Sequence, residues 1–199
     1  MERILSAISS ICHNEHIIKH VKRLLLEFDD IIELNDRSIR ATINNEVMEI
    51  NISRNCFTIY STSWSYSLRK SITFFKADNC ISLSFSNCEI TNEGTISNIY
   101  KYVFNNDELV WATYSKKVNL EYELGREVKK IKKDQYIEIY PINDLLALKK
   151  VIKNNNISYF TTHINKVNIN DINLFSFIFS NMDEVITEDE YKKIKVIKW

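Results

Sequence analysis

From Ile39 to about Leu124 the apolar residues fall on every second position, and that period limits most strongly what the chain can fold into. A period of two puts successive side chains on opposite faces of a strand, so a long run of it builds a sheet with one apolar face. Ile39, Ala41 and Ile43 alternate, Asn44-Asn45 supplies a two-residue turn, and Met48, Ile50 and Ile52 alternate back. Further strands are expected at 56–61, 71–75 and 80–86. In the last, Ile81, Leu83 and Phe85 face in while Ser82, Ser84 and Ser86 face out. Strands at 96–104 and 109–114 follow, separated by Asn105-Asn106-Asp107. Intervals this short leave no room for crossovers of about a dozen residues, so the pairing is antiparallel.

The turns are made with little glycine or proline, because 199 residues contain two of the first and one of the second. Asn and Asp must do the work, since they tolerate left-handed backbone better than other side chains. The same scarcity excludes functions. Phosphate-cradling loops need glycine where the backbone approaches the anion, and Gly94 and Gly125 each stand alone. Neither the P-loop, the dinucleotide fingerprint nor the Gly-x-Ser-x-Gly elbow can be written from this chain, so no nucleotide cofactor is expected. The richness in Asn, Ile and Lys is the bias that AT-rich coding sequence produces.

The flanks of this region change period. Ile4, Leu5, Ile8, Ile11 and Cys12 recur at helical spacing, as do Ile17, Val21, Leu24, Leu25 and Phe28. At about 100° per residue the two stripes point roughly 150° apart, so one straight helix cannot bury both. Two helices are expected, with a break near His13-Asn14 and Asn14 capping the second. Residues 118–133 fit a helix through Leu120, Leu124, Val128 and Ile131, and a strand through Val118, Leu120, Tyr122 and Leu124. Residues 136–140 read as a strand stopped by Pro141. Asn143 then caps an expected helix carrying Leu145, Leu148 and Ile152. Residues 157–164 read as a strand, 171–179 fit either type, and Thr187-Glu188-Asp189-Glu190 is a capping-box pattern. The whole is expected to be one α+β domain: a helical part at 1–30, mainly antiparallel strands at 38–140, and mixed helix and strand at 141–199. The sheet should hold seven to nine strands, with the late helices packed on one face.

A cytoplasmic setting is expected. The longest apolar runs, such as 174–179, fall far short of the roughly 20 residues of a membrane span. Serines interrupt the one N-terminal stretch that faintly looks like a signal peptide. Cys80 and Cys88 flank one expected strand, which separates them by about 26 Å where a disulfide needs under about 7 Å. With Cys12 and Cys56 they read as free buried thiols of a reducing compartment.

Several clusters compete as sites. His13, His16 and His20 share one side of a helical wheel beside Cys12, the spacing of a transition-metal site, but the expected helix break cuts through them and a half-buried imidazole is commonplace. No metal is expected. His163, within Thr161-Thr162-His163, would serve as a base in a motif-poor nuclease or transferase, although a strand histidine beside threonines is usually structural. Arg126, Lys129, Lys130, Lys132 and Lys133, with Tyr136 and Tyr140 beyond, would neutralise phosphates and stack bases. Glu121, Glu123 and Glu127 interleave with that run, and 26 basic residues balance 26 acidic ones, so no global field draws in nucleic acid or an anionic membrane.

Two acidic clusters are at least as conspicuous: Glu27, Asp29, Asp30 and Glu33, then Asp183, Glu184, Glu188, Asp189 and Glu190. Either would steer a cationic partner, whereas helix-end electrostatics would explain Glu188 to Glu190 without one. Trp64 and Tyr66, set among serines and Thr62, suit an interface hot spot or a core equally. The leading expectation is a non-enzymatic protein that binds another protein. Its most specific form is a bacterial immunity or antitoxin-type inhibitor that masks the active site of a cationic toxin domain. A small enzyme and a nucleic-acid-binding module are the alternatives.

Overall fold

A computed structural model of the chain describes residues 2–26, 30–35, 38–43, 46–63, 69–164, 167–169, 179 and 183–196. Two helices come first, α1 (Glu2–Ile11) and α2 (Glu15–Leu26). The break between them falls where the sequence places it. Asn14 Oδ1 accepts from the Ile17 amide at 2.9 Å, which caps α2, while Asn14 Nδ2 donates to the Ile169 carbonyl at 2.8 Å. The cap thus also ties the helix joint to a distant segment.

Among the described residues, twelve strands then form one sheet in strict sequence order, each antiparallel to its neighbours. They are β1 (Asp30–Asn35), β2 (Ser38–Ile43), β3 (Glu46–Ile52), β4 (Cys56–Ser63), β5 (Arg69–Ala77) and β6 (Cys80–Thr91). After them come β7 (Gly94–Asn105), β8 (Glu108–Leu124), β9 (Glu127–Pro141), β10 (Leu146–Lys153), β11 (Asn156–His163) and β12 (Asp183–Ile186). The turns are made as the scarcity of glycine requires: Asp78, Asn106, Asp107, Asn154 and Asn155 all take left-handed φ values between 48° and 70°. The Asn44-Asn45 turn lies outside the described residues.

Register assigns every strand residue a face. Ile50 pairs Ile59, Phe57 pairs Phe74, Phe74 pairs Leu83, Leu83 pairs Tyr102, Tyr102 pairs Ala112, and Ala112 pairs Ile139. These residues share one face, here called the inner face, and form a single core with Ile4, Ile8 and Ile11 of α1 and Ile17, Val21 and Leu25 of α2. Phe57 and Phe74 stack with centroids 5.3 Å apart. Each fully buried side chain of this size contributes about 1.5–3 kcal/mol. A bulge at Val103/Phe104 inserts Val110 and keeps Leu109 and Ala112 both on the inner face.

Four expectations need correction. The helix expected over Leu145, Leu148 and Ile152 is the strand β10, because Asn143 Oδ1 accepts from the amides of Leu145 and Leu146, each at 2.9 Å, and closes a β9–β10 turn instead of capping a helix. Ala147, Leu148 and Lys149 are all buried, so burial on both faces erases the alternation that would have marked the strand. Secondly, the late helices on one face reduce, among the described residues, to α3 (Glu188–Val196), which lies on the outer face, opposite α1 and α2. Its Tyr191 ring sits 4.8 Å from that of Tyr159, and Lys195 Nζ lies 4.0 Å above the ring of Tyr140; both partners are outer-face residues. Thirdly, the seven to nine strands are twelve. Residues 30–35 form the edge strand β1, and 118–133 resolve into the ends of β8 and β9 joined by a turn at Gly125-Arg126. Finally, the four thiols are free, but only Cys12 is buried, and Cys80 is exposed.

Candidate functional site

The inner face is not uniform along the strands. One register row across β5–β11 reads Ile72, Phe85, Tyr100, Tyr114, Ile137, Val151 and Ser158. Phe179 closes over the aromatics of this row and the next, its ring 5.9 Å from Tyr100, 6.1 Å from Tyr102 and 5.7 Å from Tyr114. Tyr100 and Tyr114 stack at 4.6 Å. Burial first, and then Tyr100 beside it, pushes the Tyr114 phenol up to about 12, so it stays protonated at neutral pH and donates to Asn98 Oδ1 at 2.9 Å.

The next row outward is polar across seven strands: Lys70, Asn87, Asn98, Lys116, Gln135, Lys153 and Asn156. Where β9–β11 meet this polar belt, a cleft of about 520 Å³ opens, walled by Ile137, Val151, Phe160 and Phe179 and rimmed by Gln135, Lys153 and Asn156. Lys149 lies at its base with its side chain 4% exposed. The ammonium is fully engaged, donating to both Asp183 carboxylate oxygens at 3.1 and 2.9 Å and to the Phe179 carbonyl at 3.2 Å. The cleft thus sets a neutralised ammonium, amides and the Ser158 hydroxyl between apolar walls, groups that hold a ligand by hydrogen bonds and burial.

β8 and β9, strands of 17 and 15 residues in all, run on beyond the belt as a hairpin, flanked on the β8 side by the ends of β6 and β7. The inner face of this arm turns apolar again. Its rows read Glu89, Ile96, Val118 and Lys133; then Thr91, Gly94, Leu120 and Ile131; then Tyr122 with Lys129. Ile96, Val118, Leu120, Tyr122 and Ile131 are half-buried, and none belongs to the core cluster or packs against it among the described residues. Gly94 holds φ +140° with Asn119 O 2.0 Å from where a Cβ would stand, so the β7 side of the stripe is low. The β9 side is raised by lysines.

The predicted site residues disperse over this frame. Glu27, Asp29, Trp64 and Tyr66 lie outside the described residues. Asp30 and Glu33 belong to the edge strand β1, while Asp183 and Glu184 belong to β12 at the other edge, eleven strand spacings or about 50 Å away along the sheet. The strands that carry the described members of the two acidic clusters therefore lie at opposite edges of the sheet. Asp183 is bound to Lys149, Glu188 pairs with Lys192 at 2.7 Å, and Glu190 accepts from the amide and hydroxyl of Thr187, both at 2.8 Å. Those hydrogen bonds hold the Glu188 and Glu190 carboxyls below the usual range. Glu184 and Asp189 are exposed.

Strand parity also splits the basic run. Lys129 and Lys133 face inward, Lys130 and Lys132 outward, and Lys130 is 3.0 Å from Glu121. Tyr136 and Tyr140 are half-buried on the outer face, where Glu138 accepts from Tyr140 at 2.6 Å and from Trp111 at 3.1 Å. His163 is exposed and faces away from the cleft. His13 is exposed at the helix joint, and the side chains of His16 and His20 lie outside the described residues. The sequence reading missed the arm's stripe, although its Val118-Leu120-Tyr122-Leu124 alternation was visible. No protein-family model, curated protein or solved structure matches this chain.

Proposed function

We propose that this protein works by binding another protein, through the inner face of the β8–β9 arm. One observation supports the reading above all: an apolar stripe lies beyond the polar belt that closes the core. A polar belt followed by a second apolar island is the pattern of a docking surface, because residues that served only the core would continue it without a break. The narrower form of the reading is an immunity or antitoxin-type inhibitor that masks the active site of a cognate toxin. The cleft beside Lys149 is the feature that a small enzyme would use, and its size suits a small molecule. Its one buried cation is already satisfied, however, and the histidine reserved for catalysis sits on the other face.

The test is parallel co-purification from the native host with wild type and Leu120→Asp. A stoichiometric protein partner retained by wild type and lost with the variant supports the reading, and a toxin domain among such partners supports its narrower form. Absence of any partner that depends on Leu120 would sink it.

A further inference from the structure

The charges around the stripe carry the reading a step further, to the chemistry of the partner, and this step rests on the protein-binding reading. Lys116 stands at the inner end of the stripe, and Lys133 and Lys129 stand along its β9 flank. None of the three is in an ion pair among the described residues, whereas Lys130 on the outer face of the same hairpin is paired to Glu121. Against them on the inner face stand Glu89, across β7 and β8 from Lys133, and Glu127 at the tip. The flank next to the apolar residues is therefore cationic on one side only. The opposite flank is low at Gly94, and its charged residue is the acidic Glu89.

Shape and chemistry narrow the occupant. The backbone groups of β6–β9 point within the plane of the sheet, and the arm's open edge along 127–134 lies beside this face and not on it, so a strand laid across the face makes no ladder; a helix, which satisfies its own backbone, packs there without one. The same face already takes α1 and α2 farther along. From Val118 to Leu124 the stripe is about 20 Å long, which a helix of roughly 13 residues spans. Nucleic acid suits it poorly. Ile96, Val118, Leu120 and Ile131 are aliphatic and offer no stacking platform, which leaves Tyr122 alone where successive bases need several rings.

We infer that the arm receives an amphipathic helix of its partner, with aliphatic residues laid on Val118, Leu120 and Ile131 and acidic residues along the flank that meets Lys129 and Lys133. The experiment is selection from a displayed library of amphipathic helices whose flanking positions are randomised among Glu, Lys, Gln and Ser. Wild type should enrich Glu on one flank, and the variant Lys129→Glu/Lys133→Glu should enrich Lys there. Selected helices should bind wild type at least tenfold more tightly than Leu120→Asp, while Lys132→Glu on the outer face leaves affinity unchanged. Circular dichroism of each variant should match wild type. The inference is overturned if nothing is enriched, if the flank shows no charge preference, if the charge reversal fails to invert it, or if binding survives Leu120→Asp. A single-stranded oligonucleotide that binds wild type and competes the helices off would overturn it too. A host partner that needs Leu120 but presents no acidic helix would remove this inference and leave the protein-binding reading standing; loss of both would remove the reading itself.

Discussion

Lys149 shows how much one residue depends on its surroundings. Its neighbours on β10, Ala147 and Leu148, are 0% and 2% exposed, and in that setting its ammonium donates to Asp183 and to the Phe179 carbonyl. Removing one partner of a buried pair is worse than removing both, because it strands a charge. Asp183→Asn should therefore lower the unfolding free energy by about 2–4 kcal/mol, and Lys149→Met/Asp183→Leu should restore most of it. Urea denaturation of the three proteins checks this; a single variant no worse than the double would show that the pair is not a desolvated one. Since Asp183 opens β12, the pair also anchors the edge strand that leads into α3. Neither partner was legible as such. Lys149 looked like one more lysine on an expected helix, and Asp183 like part of an acidic patch.

At the scale of elements, legibility followed solvent. The strands at 46–105 present one face to the core and one to water, so their period of two survives in the sequence, as in Ile81, Leu83 and Phe85 against Ser82, Ser84 and Ser86. β10 lost that signal because α3 covers its second face, whereas β8 keeps it in the arm as Val118, Leu120, Tyr122 and Leu124, where Leu120, Leu124, Val128 and Ile131 fit helical spacing equally well. The caps were readable because their mechanism is local: Asn14 and the Thr187/Glu190 box bond within three residues. The box also makes a prediction. Glu188 and Glu190 are held below the ordinary glutamate value by hydrogen bonds to Lys192 and Thr187, respectively, so their folded pKa is depressed. Such a group contributes stability that is present above its unfolded pKa and is lost as pH falls through the folded value. The docking of α3 should thus be constant near neutrality and weaken below about pH 4. Exchange of the amides of 188–196 should accelerate there before that of β6 and β7. In Glu188→Gln/Glu190→Gln, which removes both carboxylates, the pH dependence should flatten.

For the molecule as a whole, the sheet divides along its strands into a part that folds the protein and a part left over. The helices and the apolar rows inside the polar belt are the first; the arm is the second. The sequence could not announce this division, because it is made by register: only pairing puts Lys70, Asn87, Asn98, Lys116, Gln135 and Lys153 in one line. If the arm's stripe is a surface kept for a partner, it contributes little to folding, whereas a core residue of similar size contributes much. The direct test is urea denaturation of Leu120→Asp and Ile131→Asp beside Leu83→Ala, since Leu83 is fully buried. The arm variants should each lose no more than about 1 kcal/mol, the worth of a cross-strand pair, and Leu83→Ala about 2–5 kcal/mol. Arm variants that lose as much as Leu83→Ala would mean that the stripe is core, and would contradict the assignment of this face to a partner.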